Sequence, residues 1–416
     1  MVNKIRRALP PPEILGVAAS QAFRLLILVW VGRYVSQHLG ADGILSMGVL
    51  QNLLVLGISL PAMALQMPIQ QAVAAAGPDA EARGAEGFIL GQALALLSSA
   101  AVMVLVASGK IWIPSGLPGV LWILPVGICC TAAASDLQAW TIGRKLLGRT
   151  NLLAAVLSPL QAVWLLGWLV LGRAGLVPGV LLFGLVALPA TALWLGIPRL
   201  RPLGRRLANL RSWWPLLAMA SLTTVLGPSA QMVLRQLVLG EGIQSGADWQ
   251  AAIRLSDILF GTWSMAFTAW ALPRLAARSK ESNRDSLSMG GAAAVAFGVL
   301  VAAPLLLSLA YAHRFQGATD ILRLQALAEV SRAFGLPWTL RLMSRRAVRT
   351  FSFIELGATA FQIGLAWLLV PRIGNLGAPL AVLLESVATA LVTRHLVLRM
   401  EASDPPGSRD DPASAA

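Results

Sequence analysis

Residues 290–309 read GGAAAVAFGVLVAAPLLLSL, an unbroken tract without one ionisable side chain. As an α-helix such a tract is about 30 Å long, the thickness of a bilayer's hydrocarbon core. Leu152 to Leu171 is a second tract of the same kind. In lipid every backbone N–H and C=O must be satisfied within the protein, so only helices and closed barrels can span. These tracts are too long, and too rich in Leu and Ala, for barrel strands. They predict an all-α polytopic membrane protein.

The rest of the chain agrees. Of the 416 residues, 56% are hydrophobic and only 12% are charged, too few to build a water-soluble shell. Twelve candidate spans follow: 12–36, 43–75, 87–109, 119–142, 151–172, 176–197, 213–238, 246–273, 288–311, 319–343, 351–371 and 376–398, called spans 1 to 12 below. Several exceed about 20 residues and are expected to tilt, kink or protrude. Pro61 and Pro68 are expected to bend span 2. Lys4, Arg6 and Arg7 precede an apolar stretch with no small-residue cleavage site after it, so span 1 is expected to stay as a helix.

Loop charge sets an orientation. The even-numbered connections carry Arg144, Lys145 and Arg149, then Arg199, Arg201, Arg205, Arg206 and Arg211. Further along they carry Arg274, Arg278, Lys280 and Arg284, then Arg341, Arg345, Arg346 and Arg349. The opposite connections hold only Lys110, Arg173, Arg314, Arg323 and Arg372. The positive-inside rule then puts both termini in the cytoplasm, and a bacterial inner membrane is the expected location. The net charge of +14 is on this reading topogenic rather than a nucleic-acid footprint.

A weak repeat divides the chain into two lobes. Gly40-Ala41-Asp42-Gly43 opens span 2 and Gly246-Ala247-Asp248-Trp249 opens span 8, with Gln51 and Asp257 at equal distances beyond. Arg149-Thr150 is echoed by Arg349-Thr350, and Lys145 by Arg345. An even number of helices per unit makes the repeats parallel, an arrangement in which substrate binds between the halves. The expected organisation is a six-helix lobe over 1–197, a cytoplasmic linker over 198–212, a second six-helix lobe over 213–399 and a disordered tail over 400–416.

Charges inside the spans need a reason, because each costs about 2.5–3.5 kcal/mol to insert. The cations are Arg24, Arg33, Arg235, Arg254 and Arg332, and the acids are Asp136, Asp257, Glu329, Glu355 and Glu385. Arg254 with Asp257, and Glu329 with Arg332, are three residues apart and can pair on one helical face. Arg33 is near the end of its helix and can reach the headgroups. Arg24 and Arg235 have no acid within four residues, so each must meet an acid on another helix, water, or a bound anion. Either the five acids neutralise the five arginines between helices, or the arginines form a cationic cavity for phosphate, which suits their forked donors. Glu355 and Glu385 also lack a local cation, and can pair with these arginines or carry ions.

No nucleotide-binding Gly-rich loop, metal spacing or catalytic constellation is present in the sequence. Cys129 and Cys130 are adjacent on one helix and cannot bridge to each other, and Glu241 and Asp248 read as ordinary turn residues. The chain is not expected to be an enzyme.

The chain resembles the Wzx-type oligosaccharide flippases of the multidrug/oligosaccharidyl-lipid/polysaccharide (MOP) exporter superfamily, and among them the lipid III flippases of enterobacterial common antigen synthesis. In lobe one the resemblance is carried by Ala18-Ala19-Ser20 through Arg24, Val31-Gly32-Arg33, Gly40 to Gln51 and Val55-Leu56-Gly57. In lobe two it is carried by Arg235-Gln236-Leu237, Trp249-Gln250, Ser256-Asp257 and Leu272-Pro273-Arg274-Leu275. Towards the C-terminus it continues through Arg314-Phe315, Glu329, Arg332, Arg349, Glu355 and Gly377-Ala378. Where this chain has Arg24, Arg33 and Arg332 the relatives carry Lys, and where it has Glu329 they carry Asp, so charge sign is kept.

The resemblance implies a V-shaped pair of six-helix bundles. It implies transport of an undecaprenyl-pyrophosphate-linked oligosaccharide to the periplasmic leaflet for surface polysaccharide synthesis. The expected partners are that lipid-linked oligosaccharide, membrane lipid, and the polymerase and glycosyltransferases of the same pathway. No cofactor is implied, and H+ or Na+ is the candidate coupling ion. A drug or metabolite exporter of the same superfamily and a lipid II flippase are the competing readings.

Overall fold

The computed structural model describes residues 12–109, 120–144, 146–198, 214–276, 284–311, 315–344 and 347–403. Most of the expected linker and nearly all of the expected tail lie outside these residues. The described chain is helical almost throughout. Spans 1 and 2 run as one tract, Pro12–Ile58, broken only where Gly40 turns at φ 65° and ψ −154°. A positive φ is cheap only for glycine, and it lets the chain reverse here without a loop.

The remaining spans follow the sequence reading with ends shifted by a few residues: Ala80–Ala107, Val120–Gly143, Leu147–Leu169, Trp214–Leu239, Ile243–Ala276, Arg284–Tyr311, Ala318–Ser344, Val348–Ile373 and Gly377–Ser403. Span 6 is broken into Leu176–Leu181 and Gly184–Leu195.

The bend expected in span 2 is a π-helical turn, Ser59–Ala64, containing Pro61. Proline removes one backbone donor, and a widened turn accommodates the gap. The helix resumes as Leu65–Ala75 and carries Pro68 without stopping.

By length and apolar composition alone, eight described helical tracts qualify as membrane spans. Two of these, Val29–Ala74 and Val348–Ala402, each contain a reversal between consecutive spans. Spans 8 and 10 fall outside the eight. They carry Arg254 and Asp257, and Glu329 and Arg332, respectively, and such helices belong inside a bundle.

The helices form two six-helix bundles. In the first, span 4 packs against spans 2, 3 and 6, and span 5 packs against the Pro12–Ile58 tract. In the second, span 12 packs on spans 10 and 11, span 10 on spans 8 and 9, and span 7 on span 11. Small residues permit the close contacts, as expected where lipid gives helices no hydrophobic drive to associate. A Cβ on Gly127 of span 4, for example, would collide with the backbone carbonyl of Leu181. Large apolar side chains point outward instead: Trp122 is 81% exposed and Leu193 89%. That inversion of the soluble-protein pattern marks a lipid-facing surface.

Candidate functional site

Consecutive spans alternate in direction, so the turns at Gly40, Gly242 and Gly374 share one end of the molecule, and the arginine-rich connections share the other. At the turn end the two bundles touch. Spans 2 and 8 run in the same direction there, with Gly48 against Gln250 and Gln51 against Arg254. A Cβ on Gly48 would overlap the Gln250 carboxamide. Span 1 meets span 9, where Gly32 accepts the ring of Tyr311, 2.9 Å from the place of a Cβ. Deeper, the π-helical turn of span 2 meets span 7, and the Thr224 hydroxyl donates to the Ser59 carbonyl at 3.2 Å.

The seam between spans 2, 7 and 8 encloses two of the expected cations. Arg235 is only 3% exposed and donates through Nη2 to Gln250 Oε1. With the Asn52 carboxamide turned so that its oxygen faces the guanidinium, that oxygen lies 2.8 and 3.1 Å from Nη2 and Nη1. Arg235 Nε is buried without a hydrogen-bond partner among the described residues. Arg254, 8% exposed, donates from Nη1 to Gln51 Oε1 at 2.9 Å. Arg235 therefore does not line an open cavity in this conformation. Its hydrogen-bond partners among the described residues are neutral amides, one on span 8 and one on span 2, and Asp257 on span 8 is an acid on another helix within electrostatic reach.

From the seam a string of charges runs into the second bundle. Asp257 is exposed, yet lies within electrostatic reach of Arg235, Arg254, Arg332 and Glu329. Glu329 and Arg332 form the ion pair their spacing allows, at 2.7 Å, and Gln325 Nε2 also donates to Glu329 at 3.1 Å. Arg332 in turn is within electrostatic reach of Glu385 and Glu355, and Glu355 is within electrostatic reach of Glu385. Glu385 is buried and accepts a 2.8 Å bond from the Thr389 hydroxyl. Two members are partly exposed: the Arg332 side chain is 37% exposed and that of Glu329 14%.

Of the other predicted residues, Arg33 and Asp136 are not brought into this string. Arg33 is exposed near the turn end of span 1, and the side chain of Arg24 lies outside the described residues. Asp136 is in the first bundle, 2% exposed, against Gly91 of span 3, and neither carboxylate oxygen has a hydrogen-bond partner among the described residues. Asp248, expected as a plain turn residue, is instead buried at the start of span 8, where it accepts from Gln244 at 3.1 Å and rests against Gly317. Cys129 and Cys130 are unbridged, and no group of three or more metal-binding side chains occurs among the described residues.

No protein-family model matches the sequence, and no curated protein sequence does. Solved structures do match along the whole chain. An inward-facing multidrug resistance MATE family transporter of the MOP superfamily superposes with a TM-score of 0.66 at 16% identity, covering 93% of this chain and 96% of its own. The fold is that of the MATE transporters. An outward-facing MATE transporter gives a TM-score of 0.67 at 15% identity, covering 94% and 96%. A MOP superfamily transporter from Pyrococcus furiosus, described as having a binding pocket of reversed polarity, gives 0.66 at 17% identity, covering 94% and 95%.

Because the MATE fold matches inward- and outward-facing examples about equally, the conformation is read from the seam itself. The turn end is shut by Gly48, Gln51, Asn52 and Gln250. The sequence reading marked Gln51 only as a repeat position and missed the role of all three amides. An amide in a span carries no charge, so nothing in its residue type announces that it will meet a guanidinium from another helix.

Proposed function

We propose that this protein is an alternating-access flippase for undecaprenyl-pyrophosphate-linked oligosaccharide. The observation that carries the reading is the polarity of the seam. Arg235 is held there by the neutral amides Gln250 and Asn52, Arg254 bonds Gln51 beside it, and Asp257 is within electrostatic reach of both. Amide acceptors fix a guanidinium in place without cancelling its charge. A site of this kind favours an anion, and the diphosphate of the lipid carrier is one.

The proposed cycle has three stages. The headgroup first meets Arg332, whose side chain is 37% exposed, with Arg24 of span 1 as a further cation and Arg33 as a cation it reaches at the turn end. The diphosphate and Asp257 then compete for the guanidiniums of Arg235, Arg254 and Arg332, which are suited to bidentate contact with phosphate. Rocking of the bundles exposes the headgroup at the turn end while the polyprenyl tail stays in lipid. With the arginine end cytoplasmic, this carries the oligosaccharide to the periplasmic face of the inner membrane. Glu355 and Glu385, which share Arg332, are candidates for H+ or Na+ coupling. So is Asp136, which can take up and release a proton without breaking an ion pair among the described residues.

The competing reading is export of drugs or metabolites. Its support is the four acids Asp257, Glu329, Glu355 and Glu385, together with the multidrug transporters that share the fold. Reconstitution separates the two. Proteoliposomes holding a fluorescent undecaprenyl-pyrophosphate-linked oligosaccharide should show transfer between leaflets that is lost in Arg24→Ala and Arg332→Ala at unchanged protein yield. Arg24→Lys should retain more activity than Arg24→Ala. Accumulation of cationic dyes without any lipid transfer would establish the exporter instead.

A further inference from the structure

We infer that the seam between spans 2 and 8 is an anion-released latch: Gln51 and Asn52 hold the two bundles shut through Arg254 and Arg235, and a diphosphate that takes those guanidiniums frees the turn end to open. The inference rests on the anionic substrate proposed above and adds the element that couples its binding to movement.

Three observations meet at this seam. The bonds cross between bundles, because Gln51 and Asn52 belong to the first and Arg235 and Arg254 to the second. They are also incompletely satisfied. Arg235 is 3% exposed, yet its Nε lacks a hydrogen-bond partner among the described residues, so this buried cation still has a donor to give. Finally, the approach is built to be close. Only a glycine at position 48 leaves room for the Gln250 carboxamide that carries Arg235.

The chemistry of exchange then favours release. A guanidinium binds a phosphate oxygen through charge-assisted, often paired hydrogen bonds, which are stronger than its bonds to a neutral carboxamide. An anion at Arg235 and Arg254 thus replaces the acceptors that span 2 supplies. The exchange removes the amide contacts that span 2 makes to the second bundle at the turn end and leaves the glycine-lined surfaces there free to part. An acid at position 51 would behave differently, since it would neutralise Arg254 and compete with the anion on equal terms.

The test uses the full chain in nanodiscs, with Cys129 and Cys130 replaced by Ala and spin labels at Gln37 and Glu241, exposed residues near the turn end of the two bundles. The probe is inorganic pyrophosphate, and the readout is the distance distribution between labels. In the otherwise unchanged protein pyrophosphate should shift the distribution to longer distances, and equal ionic strength of chloride should not. Gln51→Leu with Asn52→Leu should show the longer distances without pyrophosphate.

Gln51→Glu should stay shut and need at least about tenfold more pyrophosphate for half-opening, one decade in the effective affinity. It retains the buried polar contact and so keeps the test open if the double Leu variant does not fold. Equal pyrophosphate sensitivity of Gln51→Glu and the unchanged protein overturns the inference. So does a folded double Leu variant that remains shut, or an unchanged protein that does not respond. If pyrophosphate opens the seam but no lipid-linked oligosaccharide is moved, the flippase reading fails while the latch stands.

Discussion

Replacing Arg332 by Gln is expected to cost more stability than replacing its ion-pair partner Glu329 by Gln. Arg332 bonds Glu329 at 2.7 Å and also lies within reach of Asp257, Glu355 and Glu385. One cation therefore serves four acids. Removing one partner of a fully buried pair costs about 3–5 kcal/mol, because the other charge is left without compensation. Arg332 is 37% exposed, and water screens part of that loss, so the expected cost is near the bottom of that range, about 3 kcal/mol.

Glu329→Gln is milder, since Arg332 retains the other acids and Gln still offers a carbonyl oxygen to Gln325. A lost charge-assisted component of about 1 kcal/mol is expected there. At roughly 2–4 °C per kcal/mol for a unit the size of one bundle, the midpoints should fall by about 6–12 °C and 2–4 °C. Thermal unfolding in detergent, followed by size-exclusion fluorescence, measures both. Arg332→Lys, which keeps the charge, should fall between the parent and Arg332→Gln. Should Glu329→Gln prove as destabilising as Arg332→Gln, Arg332 is not the shared counter-ion of this cluster.

Three further outcomes are expected. Gly127→Ala should lower the unfolding midpoint by several degrees, because the new methyl group meets the Leu181 backbone carbonyl and overpacking costs about 1–3 kcal/mol, whereas Gly167→Ala, with open space around it, should be neutral or stabilising. Asp136→Asn should leave the fold intact and abolish any response of transport to a proton gradient; an unaltered response would exclude Asp136 from coupling and direct attention to Glu355 and Glu385. In a background without Cys129 and Cys130, a cysteine at Glu241 should react with impermeant maleimide on whole cells and one at Arg149 should not, and the reverse pattern would invert the proposed orientation.

Much of the architecture can be read from residues alone. Tracts such as 290–309 have a single stable solution in a bilayer, a helix across it, because backbone polar groups there can only bond within the segment. The charge asymmetry of the connections predicts an orientation by the positive-inside rule, which the maleimide labelling above tests. The local pair Glu329 and Arg332 was legible because i and i+3 positions share a helical face. The bend in span 2 was legible at Pro61, though not its π-helical form. Short-range physics, acting within one helix or between one helix and its solvent, reaches this far.

The partners of Arg235 and Arg254 required the tertiary structure. Arg235 bonds Gln250 and Asn52 and Arg254 bonds Gln51, each on another helix, and Gln51 is 203 positions away from Arg254. None of these amides has a charge or a periodicity that sequence reading could pair with a distant cation. The same holds for Arg332, whose acids come from spans 8, 10, 11 and 12, and for Asp136, which packing sets against Gly91 of span 3 with Gln92 as its neighbour. Composition determined that these charges had to be compensated inside the membrane, because lipid cannot solvate them; only the packing of two bundles decided which groups do so, because compensation acts over a few ångströms in space and not along the chain.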